Sequence, residues 1–169
     1  MSELGPVTIR LAGEPKGKGR ARSTLIKPKA KPAFISTYPD PDTAMYESHL
    51  KLAAQRVMEG RPLLTGPLQV SVFAFMTIPA SWSRKRQDMA RRNELRPTKK
   101  PDWDNFAKIL DALNKVVWDD DAQIVDGFVR KFFSDTPELV VTVEPARLPV
   151  PGVQAAVAPA EQLQLAVAS

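Results

Sequence analysis

Near the start of the chain Val7, Ile9 and Leu11 alternate with polar or small residues, the period of two expected of a strand with one buried face. A second strand is predicted over residues 68–76, bounded by Gly66 and Pro67 on one side and Pro79 on the other. Two later β-rich runs, 123–133 and 138–144, are separated by Ser134, Asp135, Thr136 and Pro137, a sequence that predicts a hairpin connection. Helical spacing governs two other stretches. Tyr46, Leu50, Ala53, Ala54 and Val57 mark a first helix with Asp42 as its N-cap and Gly60 as its stop. Phe106, Ile109, Leu110, Leu113 and Val117 mark the clearest helix of the chain, residues 105–117, with Lys108, Asp111 and Lys115 on the opposite face. Between them, residues 81–92 form a short basic helix capped by Ser81, with Arg84 and Asp88 four apart. The order β, α, β, basic helix, α, β, β predicts a single α+β domain.

Composition refines the ends. Glycines and prolines run through residues 14–34 without helical periodicity, which predicts an extended basic loop. If that loop is extended, Lys16, Lys18, Arg20 and Arg22 share one side, because side chains two apart do. Beyond Glu144 the chain is rich in Pro, Ala, Gln and Val and almost uncharged, so the folded domain is expected over residues 1–144 and a mostly disordered tail over 145–169, with a short helix after Pro159. No apolar run approaches the length of about 18 residues needed to span a bilayer, and the first residues lack a secretory pattern, so a soluble, cytoplasmic protein is expected. Cysteine is absent and His49 is the single histidine. That excludes thiolate metal sites, disulfides and cysteine nucleophiles, and leaves oxygen ligands suited to magnesium, manganese or calcium. His49 sits within the first helical stretch, with no nucleophile elbow to pair it with, and reads as an ordinary helix residue.

Charge is unevenly placed. The net charge of +5 favours a polyanionic partner. Fifteen of the 24 Lys and Arg residues fall in two segments: Lys16, Lys18, Arg20, Arg22, Lys27, Lys29 and Lys31, then Arg84, Lys85, Arg86, Arg91, Arg92, Arg96, Lys99 and Lys100. Directly after the second segment, residues 102–126 hold seven aspartates against two lysines. Asp102 and Asp104, two apart in an extended segment, project to one side at the start of the predicted helix. There the helix dipole and free amides favour negative charge and phosphate. Lys108 comes one turn later on the same face, and Asp119, Asp120 and Asp121 come where the chain turns back toward a strand, so that one or more can complete an oxygen site. The bland alternative is that Asp102 and Asp104 cap the helix while the triplet decorates a solvated turn. Seven carboxylates gathered in a basic chain instead point to a compensating cation.

Lys100, Pro101, Asp102, Asp104, Asn105 and Lys108, then Asp111, Ala112, Leu113 and Asn114, then Trp118, Asp120, Asp121 and Gln123 together resemble the motif of the RusA family of Holliday junction resolvases. The resemblance implies a mixed four-stranded sheet packed with two main helices. It also implies a Mg²⁺-dependent endodeoxyribonuclease, with Mn²⁺ as a substitute, that resolves branched DNA by paired nicks in recombination and repair, as a homodimer. Carried over residue by residue, the catalytic set is Asp102, Asp104, Asp121 and Lys108; the three aspartates hold metal and Asp120 supports them. Lys16, Lys18, Arg20, Arg22, Arg84, Lys85, Arg91, Arg92, Lys99 and Lys100 are expected to hold DNA phosphates. Two departures stand out: Phe106 replaces a leucine, and only two residues separate Lys108 from Asp111 where the family has three. On a regular helix that missing residue turns the remainder of the helix by about 100°.

Two other functions use the same residues, a branched-DNA-binding protein without catalysis and a metal-dependent nuclease acting on flaps or forks. Of the tryptophans, Trp118 reads as core, Trp103 as facing away from the aspartates on either side of it, and Trp82 as either a DNA contact or a cover for the edge of the core.

Overall fold

A computed structural model describes residues 5–29 and 32–146. Most of the expected tail, residues 147–169, lies outside the described residues, as does its short helix.

The strands are β1 (Val7–Ala12), β2 (Arg22–Ile26), β3 (Phe34–Tyr38), β4 (Leu68–Thr77), β5 (Ile124–Ser134) and β6 (Glu138–Pro145); the helices are α1 (Pro41–Val57), α2 (Arg84–Arg91) and α3 (Trp103–Lys108). A mixed four-stranded sheet runs in the order β1-β6-β4-β5, with β4 and β5 parallel and the other pairs antiparallel. This is the expected α+β domain. Alternation is strict along β4, where Leu68, Val70, Val72, Ala74 and Met76 are buried. They meet Leu139, Val141 and Val143 of β6 and Val7 and Ile9 of β1 on the same side of the sheet. Tyr46, Leu50 and Ala54 from α1 close that side together with Phe106, Ile109, Leu113 and Trp118. The other side carries an aromatic group, Phe73 and Phe75 beside Phe128 and Phe132. Among the described residues no helix is long and apolar enough to cross a membrane.

Five expectations are corrected. The predicted hairpin between the last two strands does not exist, because β4 lies between β5 and β6 and the chain from Ser134 to Glu138 passes over its end. The extended basic loop contains a hairpin of its own, β2 paired with β3. Asp40, not Asp42, caps α1, accepting from the Thr43 amide at 3.3 Å, since Pro41 occupies the first helical position where no N–H is needed. Ser83, not Ser81, caps α2, and Asp88 pairs with Arg91 at 2.8 Å rather than with Arg84.

The fifth concerns the helix expected over 105–117. Its apolar residues are all buried, but only α3 is α-helical; Ile109–Leu113 is a 3₁₀ turn, and Lys115 is left-handed at φ 62°. A 3₁₀ turn advances about 120° per residue against about 100° for the α-helix, and Leu110 and Leu113 within it are buried.

The core and the β2–β3 hairpin are expected to differ sharply in their contribution to stability. Leu113→Ala empties a fully buried position and should cost about 2–5 kcal/mol, whereas Leu25→Ala, at a β2 position 54% exposed, should stay within about 0.5 kcal/mol. Urea denaturation of both variants checks this; equal losses would mean that the hairpin belongs to the core.

Candidate active site and nucleic-acid interface

The chain between β4 and β5 builds the candidate site. It leaves α2, passes through residues 92–101 and enters α3 at Asp102, whose extended backbone begins the helix although its carboxylate caps no amide. Lys131 on β5 anchors this approach: its ammonium donates to the carbonyls of Lys99 and Pro101, both at 3.0 Å. Arg96 donates to the Lys131 carbonyl at 2.7 Å, and Trp103 Nε1 donates to the Val129 carbonyl at 3.2 Å. One segment is thus tied along β5 on both sides of Asp102. Neither Lys131 nor Arg96 was assigned a role in positioning the site from sequence, where a lysine within a strand carries no signal of its own.

Asp102 and Asp104 line the same cleft, of about 760 Å³, with Lys108 beside them. Trp103, the first residue of α3 rather than part of an extended segment, lines a second hollow of about 350 Å³. Asp121 lines that second hollow, with Trp103, Ala107 and Asp126. Asp102 and Asp104 thus share one cleft, and Asp121 lines the second hollow beside Trp103. Among the described residues no three acidic or histidine side chains converge closely enough to hold a metal ion by themselves.

Lys108 Nζ donates to Asp104 at 2.7 Å, the i,i+4 pair of an exposed helix face. That hydrogen bond holds the Asp104 carboxyl below its ordinary range. The acidic turn is positioned differently. Asp120 accepts from the Ala122 amide at 2.9 Å and caps the 3₁₀ turn Asp121–Gln123. Gln123 accepts from the amides of Asp119 and Asp120 and donates to the carbonyls of Leu64 and Gly66. Asn114 accepts from Trp118 Nε1 at 2.6 Å, so the motif's amides fasten the turn while its carboxylates stay exposed.

The opposite wall of the cleft is the basic loop, packed against α3 and α1. Lys18 N donates to the Asn105 carbonyl at 2.9 Å and Gly19 N to Thr43 Oγ1 at 3.0 Å. A Cβ on Gly17 would lie 2.8 Å from that of Asn105, and one on Gly19 would lie 2.6 Å from Thr43 Oγ1, so this crossing requires glycine at both places. The expected common face of the four basic residues is absent. Lys18 turns inward, 2.6 Å from Asp111 and 3.5 Å from Glu47, and Arg22 pairs with Asp40; Arg20 lines the cleft with Lys100. Arg91 is held by Asp88 and Asp135, and Arg92 by Glu94. Among the described residues Lys16, Arg20, Arg84, Lys85, Lys99 and Lys100 make no ion pair with a carboxylate. Trp82 stands edge-on to Phe133 with Arg86 stacked 4.0 Å from its ring centre.

A family model described as Endodeoxyribonuclease RusA matches residues 12–144, a span that includes every candidate site residue. The uncharacterized protein YqaN of Bacillus subtilis (strain 168) is 35% identical over 143 residues, which cover 81% of this chain and 94% of that protein.

The Lys108–Asp104 pair has a pH signature. A carboxyl whose folded pKa is depressed adds stability above its unfolded pKa, near 3.8, and that contribution fades as pH falls through the lower folded value. Carbon-13 NMR should find the Asp104 carboxyl titrating below the ordinary aspartate range and returning to it in Lys108→Met. A midpoint unmoved by that substitution would show that the pair does not form in solution.

Proposed function

Because the chain belongs to the RusA family of endodeoxyribonucleases, we propose that it is a Mg²⁺-dependent nuclease that resolves Holliday junctions and related branched DNA by hydrolysing phosphodiester bonds in paired nicks. The observation that carries the reading is the cleft in which Asp102 and Asp104 face Lys108, Lys100, Arg20 and Lys18. Carboxylates beside a DNA-binding surface oppose binding unless a cation sits among them. Oxygen donors alone suit a hard cation, and Mg²⁺ typically uses one or two carboxylates plus substrate phosphate and water, so the Asp102–Asp104 pair fits without a closed protein cage.

When bound, the ion supplies a Lewis acid and an activated water. Asp102 and Asp104 would hold it, with Asp121 as the third carboxylate. Lys108 would stabilise negative charge developing on the phosphate. Arg20, Lys16, Lys99 and Lys100 hold phosphates on either side, with Arg84 and Lys85 of the α2 end beyond them. Arg91 and Arg92 reach DNA by exchanging exposed carboxylate partners, a small cost at a solvated surface, and Lys18 and Arg22 do so at greater cost, because Glu47 and Asp40 are half-buried. Two copies related by a twofold axis supply paired cuts.

The dispersal of the three aspartates favours a second reading, a branched-DNA-binding protein without catalysis. Incubating the protein with synthetic four-way junctions, flaps, forks and duplex, with and without Mg²⁺, separates the two. Metal-dependent nicking of junctions is expected; binding without nicking at any metal concentration would establish the second reading, and preferential nicking of flaps or forks would reassign the substrate. Asp102→Asn and Asp121→Asn should abolish cleavage while junctions bind at least as tightly as to the unaltered protein. Single-turnover cleavage by Lys108→Ala should fall about 100- to 1,000-fold, against almost no change if the lysine only pairs on the helix surface.

Salt dependence tests the interface. Replacing Arg20 and Lys100 with alanine should flatten the log–log dependence of affinity on salt by about one unit for each phosphate no longer engaged. An unchanged slope would place those charges away from DNA.

A further inference from the structure

The β2–β3 arm exposes more apolar surface than any other part of the described chain, and exposes it on both faces. Leu25 is 54% and Ile35 70% exposed, and they face each other across the pair; Ile26 and Phe34, one position further out and on the opposite face, are 39% and 51% exposed. Among the described residues neither strand makes an extensive contact with any element but the other. The arm's base is fastened where Arg22 meets Asp40 at 2.8 Å, and the chain leading into it, Gly17 to Ala21, is the wall of the cleft that holds Asp102 and Asp104.

We propose that this arm is a wedge whose outer paired residues, Leu25, Ile26, Phe34 and Ile35, insert between base stacks at the open centre of branched DNA. The proposal rests on the reading of the chain as a branched-DNA nuclease and names how that site selects a branch over linear duplex. Three features choose nucleic acid over a second protein chain. From Pro15 to Pro39 the sequence contains no Asp or Glu, while Arg22, Lys27 and Lys29 lie on the described part of the arm, so two such arms repel one another and a polyanion attracts both. A strand pair docking on a flat protein surface needs one apolar face; a wedge has a base stack on each side and needs two. The arm also continues the cleft wall, so DNA whose phosphates reach Arg20 and Lys100 meets the arm next. Apolar side chains that enter a base step unstack it, a cost of a few kcal/mol that is lowest where stacking is already interrupted, as at a branch.

A four-way junction carrying 2-aminopurine at the branch point reports unstacking directly. With the full-length protein and no Mg²⁺, so that no cutting occurs, binding is expected to raise 2-aminopurine fluorescence. The double variants Leu25→Ser/Ile35→Ser and Ile26→Ser/Phe34→Ser should abolish that rise and weaken junction binding about tenfold, equivalent to about 1.4 kcal/mol, with linear-duplex affinity within about twofold of the unaltered protein. Circular dichroism and melting check that the body of the domain is intact, as expected of an arm outside the core. Variants that raise fluorescence and bind junctions like the unaltered protein overturn the wedge. Variants that bind DNA normally but lose a dimer in sedimentation also overturn it, and assign the arm to a second copy. An unaltered protein that prefers no branched DNA over duplex would instead remove the nuclease reading on which the wedge rests.

Discussion

Parallel pairing of β4 with β5 is the constraint on which the rest of this architecture depends. Antiparallel neighbours can be joined by a tight turn; a parallel pair cannot, and the chain leaving β4 at Thr77 must travel back the length of the sheet before β5 begins at Ile124. Everything with candidate metal chemistry lies on that return path, together with the basic helix α2: the aspartates at the start of α3, Lys108, and the acidic turn before β5. The path is held against the sheet at two kinds of contact. Apolar residues from Phe106 to Trp118 fill the space under the sheet, and Arg96, Trp103 and Lys131 tie the preceding segment to the outer edge of β5. An edge strand left bare is a template for unwanted pairing, so the same hydrogen bonds that position Asp102 also protect that edge.

Within the cleft, opposite charges are interleaved rather than segregated. Lys18 bridges Asp111 and Glu47, Arg22 holds Asp40, and Lys108 holds Asp104. The Lys108–Asp104 pair is exposed enough to exchange partners, so the cleft can accept a cation there without a large rearrangement of backbone, whereas Asp40 and Glu47 are half-buried and hold Arg22 and Lys18 in place. What keeps the walls at the right separation is packing rather than charge. The glycines at positions 17 and 19 let the basic loop cross α3 and α1 at backbone contact distance, and any side chain there would force the two walls apart.

Much of this was legible in the sequence because it depends on local periodicity. The alternation of β1 and β4, the helical spacing of α1, and the buried identity of Phe106, Ile109, Leu110, Leu113 and Val117 all arise from which residues prefer to leave water, and the motif from Lys100 to Gln123 marked the site segment. The helix type after Lys108 was not legible, since over so short a stretch α and 3₁₀ turns both bring residues three apart to one side. The N-cap of α1 was legible but misassigned: Asp40 and Asp42 are equally good acceptors, and Pro41 between them, which favours the first helical position, selects Asp40.

The sequence by itself determined which residues are buried and which chemistry is present: oxygen ligands without thiolates, two basic segments, and an acidic block at a helix start. Which of those residues meet is a tertiary matter. The placement of β4 between β5 and β6, the turning of Lys18 toward Asp111 and the anchoring by Lys131 of the segment that leads to Asp102 all join residues far apart in the chain. Local propensity carries no information about such meetings, because they are set by how the sheet closes and by the volume left beneath it.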